Sequence, residues 1–338
     1  MNFFTTSFDD IMNFNIFRRF NFILLFGGTV VSIIVFVVGL TQGMLPAKFW
    51  IYRCDPSLYS DNTFLAYCSD SGYGGYEHGA IYFGLEKDIV ANLRSANVLI
   101  LGSSRAQLGF SSPVAGEYFS NRGLRYFNLG FNYWEADLFA RRVIERHDLK
   151  PNVVIVNADY FFTNEASPTA KKVLSRTKQV EFEYFLKGWI QRSHQEICIR
   201  NKFGIGRFLC GRKPALYRSR LNGRTFVANW PRSFQNEAPK KREPSEDALV
   251  RLIGNAVNFK KFLDARNICL VITVIPSTTV SSNPGRIIAA AINVPFILSK
   301  VKNLSYFDGN HLDEAGATAW SSDFFNKFDK LNLNCTSR

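Results

Sequence analysis

The sequence predicts an α/β fold with a parallel sheet covered by helices on both faces. Two observations lead to this expectation. Short, continuous apolar runs are typical of strands that are buried on both sides, and helical patterns separate those runs. The predicted strands are 98–101, 126–129, 153–156 and 270–275. The predicted helices are 112–121, 134–147, 245–265 and 313–331.

An uncharged apolar stretch at 22–40 precedes this region and is about as long as the ~20 residues that cross a bilayer. It predicts a transmembrane helix at 21–43, after a tail at 1–20. Arg18 and Arg19 favour a cytoplasmic N-terminus, with the following domain on the extracytoplasmic or periplasmic side of a bacterial inner membrane. A cleaved signal peptide and a buried core helix are the alternatives.

The rest of the chain divides by composition. Residues 44–90 are rich in Tyr, Ser, Gly and Asp without a sustained period, which predicts a stalk or a loop-rich cap. The main domain is expected at 91–332, with an insertion at 171–242 and a tail at 333–338. The insertion carries 18 Lys and Arg against 4 Asp and Glu, a net charge of +14, whereas the whole chain has +13.

The concentrated charge of the insertion indicates an anionic neighbour. An acidic polysaccharide or an anionic membrane leaflet fits an extracytoplasmic domain, and nucleic acid does not. Trp189 and Trp230 lie among the basic residues, where they could stack on sugar rings. A solvated basic face with packed aromatics is an equally good interpretation.

Six cysteines suit an oxidising compartment. Cys54 with Cys68, and Cys198 with Cys210, would each close a short loop, so we expect two local disulfides. Cys269 lies in an apolar run and is expected to be a buried free thiol, while Cys335 is left unassigned. The four histidines are widely separated, so the sequence predicts no metal site and no cofactor.

Two segments carry the chemistry. The first predicted strand ends in Gly102-Ser103-Ser104 before a helical segment, and such a turn lifts a serine hydroxyl out of the sheet edge. The second segment places Asp308 three residues before His311. An aspartate there can hold the imidazole in one tautomer, which leaves the other nitrogen free to take a proton from serine.

These two segments resemble the first and last motifs of the SGNH, or GDSL-like, hydrolase superfamily, over about residues 95 to 330. The resemblance implies a flavodoxin-like, three-layer fold with Ser104 as nucleophile, His311 as base and Asp308 as its partner. Ser103 is the less suitable nucleophile, because the family serine is the third residue of its motif.

The middle motifs of the family imply an oxyanion hole. The segment at 126–130 is similar to the second motif, so the N–H groups of Gly130 and Ser104 are expected donors. The third motif is matched out of register: Asn157 is the expected side-chain donor, but Asp159 could occupy its place. Arg105 follows the nucleophile and either binds an anionic substrate or caps local carbonyls.

A serine activated in this way performs acyl transfer through an acyl-enzyme. The predicted architecture resembles membrane-anchored proteins that work beside membrane-bound O-acyltransferases on exported polysaccharides. The leading hypothesis is therefore O-acylation, with acetyl the expected group, of an extracytoplasmic glycan. The alternatives are a carbohydrate O-acetylesterase or lipid esterase with the same triad, and a non-catalytic glycan-binding or assembly component.

Overall fold

Short strands alternate with helices in the computed structural model of the protein, which describes residues 27–33, 53–69, 75–132, 135–200, 210–230 and 243–331. The strands are β1 (Thr63–Cys68), β2 (Val98–Gly102), β3 (Tyr126–Gly130), β4 (Val153–Asn157), β5 (Ala215–Ser219), β6 (Thr225–Ala228), β7 (Cys269–Thr273) and β8 (Phe296–Ile297). The helices are α1 (Tyr76–Phe83), α2 (Ile89–Arg94), α3 (Ser104–Gly109), α4 (Pro113–Ser120), α5 (Asp137–His147), α6 (Pro168–Leu174), α7 (Lys178–Arg200), α8 (Glu246–Asp264), α9 (Asn283–Ala291) and α10 (Glu314–Phe328).

Five of these strands form a parallel sheet in the order β3-β2-β4-β7-β8. Counted along the chain within this sheet, the order is 2-1-3-4-5, which is the flavodoxin-like arrangement. The register pairs Gly102 with Gly130 and Asn157 with Thr273. The parallel α/β sheet that the sequence predicts is therefore confirmed, and the carboxyl ends of its strands meet at one edge.

Both faces of the sheet are covered, because all five residues of β2 are buried. Val98 and Ile100 belong to a core cluster that includes Trp320 and Phe324 of α10. Side chains point alternately to the two faces along a strand, so their neighbour Leu99 faces the opposite side of the sheet. Leu99 is also fully buried. The continuous apolar runs of the sequence thus reflect burial on two sides.

A second, antiparallel sheet has the order β1-β5-β6. Its strand β1 comes from residues 44–90, and its other two strands come from 171–242. Arg218 of β5 is fully buried, and its guanidinium donates to Glu77 of α1 at 2.9 Å and to the main-chain oxygen of Asn128 in β3. The small sheet is therefore joined to the parallel sheet through a buried charge.

The predicted transmembrane helix at 21–43 is corrected by the structure. Residues 27–33 are helical and exposed, and the rest of that range lies outside the described residues. Among the residues that are described, no helix combines the length and the apolar character that a membrane crossing needs. The chain divides into two units, Met1–Trp50 and Ile51–Arg338, and the parallel sheet belongs to the second.

Two local disulfides are present, as the cysteine spacing predicts. Cys54 is bonded to Cys68 and Cys198 to Cys210. Cys269 is also disulfide-bonded, so the expectation of a free thiol there was wrong. An apolar run indicates burial but does not show whether a thiol has found a partner, which explains the error. Cys335 lies outside the described residues.

Part of the positive charge of 171–242 is neutralised inside the protein. Arg218 forms an ion pair with Glu77, and both side chains are fully buried. Arg192 and Arg220 both pair with Glu86, at 3.0 and 2.7 Å. These three cations stabilise the junction with α1 and its neighbours, so the net charge of the insertion overstates the charge that it offers to a partner.

Candidate active site

The turn after β2 places Ser104 at the start of α3. Gly102 has φ of +144°, and a Cβ atom there would lie 2.9 Å from the Cβ of Ala106, so this position requires glycine. Ser103 precedes the helix, and its Oγ accepts a hydrogen bond from the N–H of Arg105 at 3.3 Å. The local sequence therefore folds as a strand, a strained turn and a capped helix.

The segment that holds Asp308 and His311 is a closed loop in front of α10. Phe307 N–H donates to the His311 carbonyl at 3.1 Å, and Tyr306 bridges to Leu312. Gly309 has φ of +77°, a conformation that glycine adopts without strain. This closure brings the side chain of His311 next to that of Asp308 in the same loop.

The two segments bring a serine, a histidine and an aspartate into one line of hydrogen bonds. Ser104 Oγ lies 2.7 Å from His311 Nε2, and His311 Nδ1 lies 2.7 Å from Asp308 Oδ2. With a proton on Nδ1 that is donated to Asp308, Nε2 can accept the proton of the serine hydroxyl. This is the geometry of a nucleophile, a general base and a group that orients the base.

The surroundings of Asp308 favour its ionised form. Burial raises the pKa of this carboxyl, but the hydrogen bond and charge of His311, together with the N–H groups of His311 and Asn310, outweigh burial and hold the pKa below its usual value. Asp308 is therefore a carboxylate at neutral pH, which suits a group that stabilises an imidazolium.

Ser103 has a different environment from Ser104. Its Oγ donates to Asp159, with distances of 3.2 and 3.3 Å to the two carboxylate oxygens. Asp159 also forms a buried ion pair with Arg105. Burial raises the pKa of Asp159, and the charge of Arg105 acts in the opposite direction. The adjacent serines are thus distinguished: Ser104 contacts the histidine, and Ser103 contacts a buried carboxylate.

Arg105 connects the turn that holds Ser104 to the loop that holds His311. Its Nη2 donates to Thr279 Oγ1 at 3.4 Å, and Thr279 Oγ1 donates to Asn310 Oδ1 at 2.7 Å. The N–H and hydroxyl of neighbouring Thr278 donate to the carbonyl of Gly309. Arg105 as a whole is only 8% exposed, so its contacts are internal and it does not lie on the surface.

Two of the three predicted oxyanion donors, Gly130 and Asn157, have internal partners, and the role of the Ser104 N–H stays a prediction. Gly130 N–H donates to Asn128 Oδ1 at 2.8 Å, and Asn157 Nδ2 donates to Asp159 Oδ1. Asn157 Oδ1 in turn accepts from the N–H of Ile275 at 2.9 Å, and the whole side chain is buried. An oxyanion would compete with these acceptors, so the roles of Gly130 and Asn157 stay predictions.

The two tryptophans of the basic segment lie in different environments. Trp189 is 56% exposed on α7, whereas Trp230 is half-buried after β6 and packs against Tyr67 and Phe307. Only Trp230 therefore approaches the loop that holds His311.

Sequence reasoning missed several supporting residues and the proximity of His194 to Cys198 and Cys210. These cysteines share a disulfide and so offer no thiolate to a metal. Asn128, which holds the Gly130 N–H, also donates to the carbonyl of Ala106 and thereby ties β3 to α3. Its place inside the Asn-Leu-Gly motif was the available signal.

The sheet order is flavodoxin-like, and the structure brings together the serine, histidine and aspartate that the sequence resemblance implies. No family model matches the sequence, and no curated protein matches it. Among solved structures, a putative acylhydrolase from Bacteroides fragilis is similar, with 15% identity and a TM-score of 0.35 over 73% of this chain and 96% of that one. A GDSL-like lipase from Bacteroides thetaiotaomicron has 12% identity and a TM-score of 0.35 over 74% and 98% of the two chains.

Proposed function

We propose that the protein is a serine-dependent acyl-transferring hydrolase, an esterase in the broad sense. The single observation that carries this proposal is the hydrogen-bonded line from Ser104 through His311 to Asp308. Ser104 and His311 are both partly exposed, so an ester can reach the hydroxyl from outside.

The reaction follows from this geometry. Ser104 Oγ attacks the acyl carbonyl carbon as His311 Nε2 takes the hydroxyl proton, and Asp308 stabilises the resulting imidazolium. Collapse of the tetrahedral intermediate breaks the ester bond and leaves the acyl group on Ser104, while the leaving alcohol receives the proton from His311. A second hydroxyl compound, water or a sugar, then accepts the acyl group through the same steps in reverse order.

The finer proposal is O-acyl transfer, with acetyl as the group, on an exported polysaccharide or cell-wall glycan. The two local disulfides support an oxidising, extracytoplasmic location. A membrane-bound O-acyltransferase that delivers acyl groups is the partner proposed for this role.

A non-catalytic glycan-binding component is the second candidate. One observation favours it: Gly130 N–H and Asn157 Nδ2 both donate to internal acceptors. Losing one oxyanion donor costs on the order of 100- to 1,000-fold in rate, so a site without either donor would turn over very slowly.

Covalent labelling tests the proposal. The purified full-length protein is incubated with a fluorophosphonate and measured by intact mass, beside the Ser104→Ala and Ser103→Ala variants. We expect one adduct on the wild type and on Ser103→Ala, and none on Ser104→Ala. A folded wild-type protein that takes no adduct would favour the non-catalytic candidate.

Transfer and hydrolysis are separated by adding an acceptor. With 4-nitrophenyl acetate as donor, a transferase forms an acetylated glycan in a Ser104-dependent manner, whereas an esterase releases acetate at a rate that the glycan does not change.

A further inference from the structure

A cavity of about 340 Å³ lies between α3, β6 and the start of α10. Thr225 and Val227 line it, and their spacing of two residues places them on one face of β6, while Asn229 lines it just after the strand. Its size is near the lower end of the range for small-molecule sites, about 300–1,000 Å³. The cavity therefore suits a compact ligand.

The cavity borders the catalytic triad in two places. Leu108 lines it and lies one helical turn after Ser104, so the two residues share a face of α3. Phe307 also lines it, and its ring is parallel to the imidazole of His311, with 5.5 Å between ring centroids and 13° between planes. A ligand in the cavity is consequently separated from the triad by single side chains.

A buried hydroxyl group in the cavity wall is left without a hydrogen bond. Thr225 is 3% exposed, and its Oγ1 has no hydrogen-bond partner among the described residues. The Thr225 backbone is fixed, because its N–H donates to Ser111 Oγ at 3.0 Å. Leaving a buried polar group unpaired costs about 1–3 kcal/mol, so a ligand that bonds to this hydroxyl regains that free energy.

Another part of the wall is aromatic. Trp230 and Phe307 pack edge to face, with ring centroids 5.9 Å apart, and Trp230 is only half-buried. A wall that contains both aromatic rings and an unpaired hydroxyl group matches a pyranose ring, which has apolar C–H faces and hydroxyl groups around its edge. An acyl chain would cover the aromatic rings but leave Thr225 Oγ1 unpaired.

We propose that this cavity binds one sugar ring of the acylated glycan, with Trp230 against the face of the ring and Thr225 Oγ1 bonded to one of its hydroxyl groups. This inference rests on the proposed function, because it takes a glycan ester as the substrate of Ser104. The cavity then determines which sugar is acylated or deacylated.

Kinetics with two kinds of acetyl ester test the inference. The first is 4-nitrophenyl acetate, and the second is a panel of mono-O-acetylated methyl glycosides of glucose, galactose, mannose and N-acetylglucosamine. We expect Thr225→Val to raise KM for the preferred glycoside by about 3- to 10-fold, as the loss of one hydrogen bond does, with kcat/KM for 4-nitrophenyl acetate unchanged. Trp230→Ala should raise the same KM by at least as much.

The variants are chosen to preserve the fold. Thr225→Val removes an unpaired buried hydroxyl without breaking an internal hydrogen bond, so its thermal stability should be no lower than that of the wild type. Trp189→Ala is the matched control, because it removes the same kind of side chain from α7, away from the residues that line the cavity. It should leave both substrates unaffected.

A binding measurement separates this inference from the proposed function. Saturation-transfer NMR with Ser104→Ala protein reports glycoside binding without turnover, so binding that Trp230→Ala abolishes supports the cavity even if Ser104 is never labelled.

Three results would overturn the inference. Equal effects of Thr225→Val on both esters would make Thr225 a general structural residue, and no effect on either ester would remove it from the substrate site. A change confined to the preference between acetyl and octanoyl 4-nitrophenyl esters would assign the cavity to the acyl chain instead.

Discussion

The hydroxyl of Ser104 and Nε2 of His311 lie 2.7 Å apart although 207 positions separate them in the chain. The contact exists because β2 ends at the same sheet edge on which the loop before α10 closes. Both residues are near elements that the core holds firmly: Trp320 of α10 packs on Phe110 directly after α3, with 4.8 Å between ring centroids.

Replacing Asp308 tests the orienting hydrogen bond. Asp308→Asn keeps the shape of the side chain but favours the wrong tautomer of His311, so kcat for ester turnover should fall by about 10³- to 10⁴-fold. The measurement is steady-state kinetics with 4-nitrophenyl acetate.

Asp313→Asn is the matched control for this change. Asp313 caps α10 by accepting from the N–H of Gly316 at 2.8 Å, and asparagine caps helices about as well as aspartate. The control should therefore keep its activity. Equal losses in both variants would contradict the orienting role of Asp308.

Replacing one member of the buried pair of Arg105 and Asp159 should lower the free energy of unfolding more than replacing both members does. Arg105→Met leaves the Asp159 carboxyl buried without its cation, which should lower the free energy of unfolding by about 3–5 kcal/mol. The double variant Arg105→Met with Asp159→Asn should recover most of this loss, because no uncompensated charge remains.

Urea unfolding of the two single variants and the double variant measures the coupling between these side chains. Additive losses would show that Arg105 and Asp159 are energetically independent.

The buried carboxyl of Asp137 should make the stability of the folded protein depend on pH. Burial raises the pKa of this carboxyl to about 6, although the N–H of Asn164 and the charge of Arg141 act against burial. A raised pKa means that the folded state binds the proton more tightly than the unfolded state. The stability that this protonation provides is complete below about pH 4 and is lost as the pH rises through about 6.

Asp137→Asn should abolish this dependence and raise the free energy of unfolding at pH 8, by an amount on the order of 2 kcal/mol. Thermal unfolding of wild type and variant from pH 4 to 8 is the measurement. Parallel curves across that range would show that Asp137 does not titrate there.

The disulfide between Cys54 and Cys68 closes a loop over a sequence separation of 14. Replacing both residues with serine should destabilise the protein by about 3 kcal/mol, since a loop of this length gains more freedom in the unfolded chain. The double serine variant of Cys198 and Cys210, with a separation of 12, should lose a similar amount. Unfolding in urea without reductant compares them.

The central sheet and the triad could be anticipated from local sequence. β2 and β4 are continuous apolar runs up to their last residue, and β3 is interrupted only by Asn128 before its final Leu-Gly. The residues of the triad belong to two short motifs at the ends of predicted elements. Burial on two faces produces such a run directly, so the pattern needed no knowledge of distant contacts.

The supporting network could not be anticipated in the same way. Arg105 meets Thr279 across 174 positions, and Gly130 N–H turns to its near neighbour Asn128 rather than to a ligand. Which acceptor a donor bonds to depends on the groups that lie near it in the folded protein, and the local sequence pattern does not determine those neighbours. The membrane helix was inferred from the apolar character of 22–40 alone, which does not establish a spanning helix.

The buried guanidinium of Arg218 gives neighbouring positions of the small sheet different freedom to change. It is held by Glu77 and by the main chain of Asn128 and Gly223, so a neutral residue there would leave the charge of Glu77 uncompensated in the interior. Thr225, which pairs directly with Arg218 across the sheet, and Val227 line the cavity and carry no charge. The side chains that shape the cavity can therefore be exchanged while the scaffold that positions the nucleophile is left intact.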